Sequence, residues 1–166
     1  MKQAELLAWQ LDETRSWTRM LIADLAGDDW FFQPAPGLAH AVWTCGHLAV
    51  AQHRLVHERC LGAGVLDEAF QSQFPIGSAV RSATEHDYPP VESVLATMED
   101  VHRKTCEAIR GMSDELLAEP AFGAGGQTHP NYRDKRGAVA HASRHEAFHA
   151  GQLATIRRLL GKPFLR

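Results

Sequence analysis

Apolar residues in this 166-residue chain recur at steps of three and four almost throughout, and strand-like alternation is nearly absent. That period restricts the fold to packed helices. From about residue 2 to 26, Leu7, Leu11, Thr14, Trp17, Leu21 and Leu25 make one stripe, which Gly27 and two aspartates stop. Residues 33–37 (Gln-Pro-Ala-Pro-Gly) are a loop by composition. A second helix runs from about 40 to 61 and ends at Gly62-Ala63-Gly64. Pro89-Pro90 opens a third, striped by Val94, Met98, Val101, Thr105, Ile109 and Met112. Ser113 caps a short turn through Leu117, and a last helix spans about 136 to 160 before Gly161-Lys162-Pro163. Two long connections remain, 62–88 and 119–134, the first expected to be a crossover or a lid. The pattern predicts an all-α, single-domain (1–166) four-helix bundle with long crossover connections.

Charge narrows the partners. Seventeen basic against 20 acidic residues give a net charge of -3, without the basic stripe that phosphate neutralisation requires, so no nucleic-acid partner is expected. No apolar stretch approaches the roughly 20 residues that cross a bilayer, so no membrane partner is expected either. The opening residues are broken by Gln10, Asp12 and Glu13 and do not read as a secretory signal; a cytoplasmic protein is expected. Cys45, Cys60 and Cys106 are odd in number and lack a Cys-x-x-Cys pair, which suits buried thiols in a reducing compartment.

Ten histidines are the anomaly. Random placement gives on the order of 0.6 pairs at i,i+4 spacing, the step that shares a helix face, yet three occur: His53/His57, His141/His145 and His145/His149. A wheel of the last helix centred on His145 puts Gln152, Ile156, Leu159, Phe148, His149, His141, Leu160 and Ala142 within about 60°, so these imidazoles are expected to point inward. His53 and His57, beside Gln52 and Arg54, are expected in solvent. His47 lies among Trp43, Val50, Ala51 and Leu55 and should project inward. One His from one helix and a His-x3-His pair from another fit a three-ligand metal site with an open position. The competing reading is a set of core histidines bonded to one another and to water. His102, on the third helix's stripe, is either a rival ligand or a core histidine bonded to a carbonyl.

His145-Glu146-Ala147-Phe148-His149 also matches the zincin signature H-E-x-x-H literally. Its context fails: residues 150–166 hold no Asp or Glu, and the longer metzincin pattern meets Gln152 and Thr155. No strand is predicted to hold a peptide substrate.

A second resemblance covers essentially the whole chain. The stretch from His141 through His145, His149, Gly151, Gln152 and Leu153 to Gly161-Lys162-Pro163 resembles the last helix of DinB-like (DinB/YfiT) proteins. Trp43-Thr44-Cys45-Gly46-His47-Leu48-Ala49 resembles their second helix. The resemblance implies a four-helix bundle with His47, His145 and His149 holding a divalent metal such as Zn, Ni or Fe. It further implies a low-molecular-weight thiol attacking an electrophilic small-molecule substrate, as in thiol-dependent S-transferases and isomerases, with hydrolysis as the next reaction. A non-catalytic metal-binding or stress-response bundle is the alternative. Ala150 departs from the basic or polar residue often found there, which bears on substrate contacts rather than on the metal. Gln152, one turn beyond His149, suits a hydrogen bond that orients a ligand. His129, Tyr132 and Arg133 either line the pocket mouth or form a plain polar loop. A homodimer is possible through Trp9, Trp30 and Phe164, although core packing is the expected role of each.

Overall fold

The computed structural model describes residues 1–123 and 127–165. Its long elements are α1 (Gln3–Ile22), α2 (Ala41–Gln52), α4 (Val91–Arg110) and α6 (Lys135–Leu159), with short α3 (Glu68–Gln73) and α5 (Asp114–Ala118) in the two long connections. Among the described residues there is no strand, only isolated bridges such as Gly37 with Val80. The all-helical expectation holds. Connection 62–88 is not bare loop: α3 starts on an Asp67 cap, and Phe74 beyond it is fully buried.

α1 packs against α4 and α6, and α2 packs against the same two, so consecutive α1 and α2 occupy opposite corners. α2 contains no charged residue and is buried along its entire length, as a helix apolar on all sides must be. It continues without interruption into nine residues of wider i→i+5 turns, His53–Leu61, which end at Gly62 with φ +71°. That left-handed conformation is one that glycine adopts without steric cost.

The interior has two apolar clusters separated by a polar layer. One gathers Leu7, Leu11, Val56, Ile109, Leu117 and Val139; the other gathers Ile22, Trp30, Val42, Phe74, Met98 and Leu153. Between them lie buried Arg15, Thr18, Gln52, His102 and Glu146. Glu146 accepts two bonds from Arg15 (2.5 and 3.1 Å), one from Thr18 (3.0 Å) and one from Gln52 (2.8 Å). Arg15 also donates to the Met98 carbonyl at 3.2 Å. A buried ion pair is sustainable only with this degree of satisfaction.

This layer corrects the expected stripe of α1. Trp17 is half exposed, while Arg15 and Thr18 turn inward with Ala4, Ala8 and Ile22. The stripe of α4 is as expected: Val94, Met98, Val101, Thr105, Ile109 and Met112 are all buried. Trp30 is a core residue, but Trp9 and Phe164 are exposed rather than packed inside. All three cysteines are buried free thiols. No helix among the described residues is long and apolar enough to cross a membrane.

Candidate metal centre

His47 comes from the middle of α2, and His145 and His149 from successive turns of α6. One ring nitrogen from each lies within 4.8 Å of the other two. His145 Nε2 is 3.2 Å from both His47 Nε2 and His149 Nε2. Local packing fixes each ring. Trp43 stacks on His47 at 4.5 Å and 12°. The phenyl ring of buried Phe74 lies 2.4 Å from where a Cβ on Gly46 would stand, so any side chain beside His47 would force that ring to shift. His149 Nδ1 is 2.8 Å from Gln152 Oε1, the orienting hydrogen bond the sequence suggests.

The protonation chemistry of this trio is frustrated. With Nδ1 donating to Gln152, His149 offers only a lone pair at Nε2. His145 Nε2 then either carries a proton, which satisfies one neighbour well, or accepts from His47 and faces the His149 lone pair. Protonation is no remedy. Burial, reinforced by the neighbouring imidazoles, pushes His47 down to about 3 and His145 down to about 4. Burial also lowers His149, against the opposing effect of Gln152. Three neutral imidazoles thus converge, and a divalent cation fits them. A tetrahedral zinc with bonds of 2.0–2.1 Å requires nitrogens about 3.3 Å apart, close to the two separations of 3.2 Å.

The wheel of α6 needs a rotation. Ala142, Glu146 and Leu153 centre its buried arc, about 90° round from His145 at 100° per residue. His145 and His149 therefore sit on the rim of the core, and Phe148 and Leu159, expected inside, are exposed. His145 opens on a cleft of about 160 Å³ that Ala51, Arg54, Arg59, Tyr132 and His141 also line. A larger apolar groove of about 360 Å³ runs between α1 and α6, lined by Trp17, Met20 and Ala150, away from the cluster.

Other histidines divide differently from the sequence expectation. His53 and His57 are buried, not solvated. The chain folds back after Gly62 so that the Val65 and Leu66 amides donate to His53 Nδ1, at 3.0 and 3.2 Å, and Glu58 meets its Nε2. His57 Nε2 meets the Thr105 hydroxyl at 3.1 Å. Both sit in the His53–Leu61 turns, where the folded-back loop and α4 cover them, and neither cover shows in the spacing of that segment. His102 is a core residue outside the cluster, bonded to Gln52 and Asp12 side chains rather than to a backbone carbonyl. His141 lies beside the cluster, its ring 5.9 Å from His145. Tyr132 joins the cleft wall, His129 stacks on it at 4.6 Å, and Arg133 is exposed. Sequence reasoning missed Arg54 and Arg59, whose five-residue spacing has meaning only in wide helical turns.

The zincin reading finds no geometric support. Glu146 points away into the polar layer, with its carboxylate consumed by Arg15, Thr18 and Gln52.

Fold and site thus define an all-helical protein with three inward-converging histidines beside a small open cleft. The DinB superfamily family model matches residues 10–153. The chain belongs to the DinB superfamily. Its fold is similar to that of a conserved protein from Enterococcus faecalis, with TM-score 0.65, 17% identity, and coverage of 98% of this chain and 99% of that one. No curated protein matches the sequence.

Proposed function

We propose that the chain is a metal-dependent enzyme acting on a small molecule, with His47, His145 and His149 as the ligands of a divalent ion. The observation that carries this reading is the convergence of three neutral imidazole nitrogens at the rim of the core, beside a cleft that His145 lines. The bound ion would supply Lewis acidity toward a substrate atom or lower the pKa of a group entering from the cleft. The chain's own residues do the rest. Gln152 holds the His149 ring in the tautomer that presents Nε2, and Trp43 holds the His47 ring flat. Tyr132 and His141 wall the approach.

Thiol-dependent S-transfer or isomerisation is the reaction class this arrangement suits best. No free carboxylate stands in the cleft as a general base for water, because Glu146 is committed to Arg15. None of the protein's own thiols is available, since all three are buried and Cys45 and Cys60 are pushed up to about 12 by desolvation. The thiol nucleophile would come from a low-molecular-weight cofactor.

Elemental analysis of the untagged protein beside a His145→Ala/His149→Ala variant tests the metal. Near-stoichiometric zinc, nickel or iron in the first and none in the second is the expected result. Thiol-dependent consumption of small electrophiles by the loaded protein, lost in His47→Ala with the fold intact, tests the reaction. Loss of the melting transition on metal removal, without turnover under any thiol, would instead identify a structural ion.

A further inference from the structure

We propose that Arg54 and Arg59 form an anion-binding subsite beside the histidine cluster, and that the substrate or cofactor presents a carboxylate to it. Both arginines line the cleft that His145 also lines. Neither forms an ion pair among the described residues: the acid between them, Glu58, is engaged with His53 at 3.0 Å. No Asp or Glu lines the cleft. Two positive charges without counter-charge, held half-buried in one small concavity, attract an anion.

The helix geometry is what pairs them. Five residues of α-helix advance the side chain by about 500°, which leaves positions i and i+5 about 140° apart. The turns of His53–Leu61 close i→i+5 instead, returning residue 59 to the side of residue 54. Turns of this kind are rare and recur at functional sites. Arg59 is further positioned by the Tyr132 ring, 5.4 Å from its guanidinium carbon, and Tyr132 lies 5.3 Å from the His141 ring. Guanidinium forks match the two oxygens of a carboxylate. At about 160 Å³ the cleft is smaller than the 300–1,000 Å³ usual for drug-sized ligands, so the molecule is of metabolite size or enters by its acidic end.

The subsite deepens the proposed function, on which it rests for what the bound anion is presented to, but it is testable without that function. The probe is succinate, titrated calorimetrically at fixed ionic strength into zinc-loaded and metal-free protein, with neutral succinamide as control. Succinate is expected to bind both forms, and succinamide neither. Arg54→Gln/Arg59→Gln should weaken succinate by roughly tenfold or more while leaving zinc content and melting temperature unchanged. Equal affinity for succinate in the wild type and the double variant, including no binding to either, would overturn the subsite, as would equal binding of succinamide. Arginine-dependent succinate binding in a protein that takes up no zinc, nickel or iron would uphold the subsite and reject the metal centre.

Discussion

Replacing Glu146 by alanine separates a core glutamate from a catalytic one. Arg15 and Glu146 are both shielded from solvent, and the carboxylate accepts four hydrogen bonds, two of them from Arg15. Removing one member of a buried pair typically costs about 3–5 kcal/mol, because the remaining charge stays desolvated without its partner. Here partly exposed Glu99, 3.7 Å from Arg15, provides residual compensation. That points to the lower end, about 3 kcal/mol. For a chain of this size it corresponds to a fall in Tm of roughly 6–12 °C. Differential scanning calorimetry on wild type, Glu146→Ala, Arg15→Met and the Arg15→Met/Glu146→Leu pair would measure it. Both single variants should fall, and the pair should recover much of the loss, since apolar replacement of both charges is often neutral or stabilising. Metal content in Glu146→Ala should match the wild type below its transition. A Glu146→Ala protein that melts like the wild type yet has lost turnover would refute this reasoning and restore the glutamate to the chemistry.

Other consequences are sharper at single positions. Gly46→Ala places a methyl group 2.4 Å from the buried Phe74 ring and should cost about 1–3 kcal/mol by overpacking, partly relieved by Phe74→Leu; denaturant unfolding reads both. Burial holds His40 and His57 down to about 4, below the 6.5 of the unfolded chain. Below 6.5 the unfolded state therefore binds protons that the folded state refuses, and stability should fall as pH drops from 6.5 toward 4. At pH 5 the loss is about 2 kcal/mol for each of the two, and His57→Gln should flatten the slope measured by urea unfolding. Gln152→Leu removes the acceptor that sets the His149 ring and should weaken zinc affinity about 10- to 100-fold in a chelator competition, with little change in Tm. The three buried thiols should resist an aromatic disulfide reagent until denaturant is added.

The sequence determined the long helices and the histidines that meet, but not α3 or the wide turns of His53–Leu61. Helix boundaries came from caps and stops that act within a turn, such as Ser113, whose hydroxyl oxygen accepts from the Leu116 amide, and Gly62, which takes a left-handed turn. The pair His145/His149 was legible because i,i+4 spacing is a local property of a helix, and His47 because its neighbours are apolar on every side. Which way a helix faces was less legible, for a reason visible in α1 and α6. Their buried arcs include charged residues, Arg15 and Glu146, which any apolar stripe assigns to solvent. Each belongs inside only because the other is there, a fact that lies 131 residues apart in sequence. The same limit hid the fates of His53 and His57, which a folded-back loop and α4 cover. It also hid the pairing of Arg54 with Arg59, since i→i+5 turns arise where a helix is packed into a bundle and leave no mark in the spacing of apolar residues. Local periodicity thus specifies the long helices and the histidine pair, while tertiary structure decides burial of charge, because only packing can supply the partner that makes burial affordable.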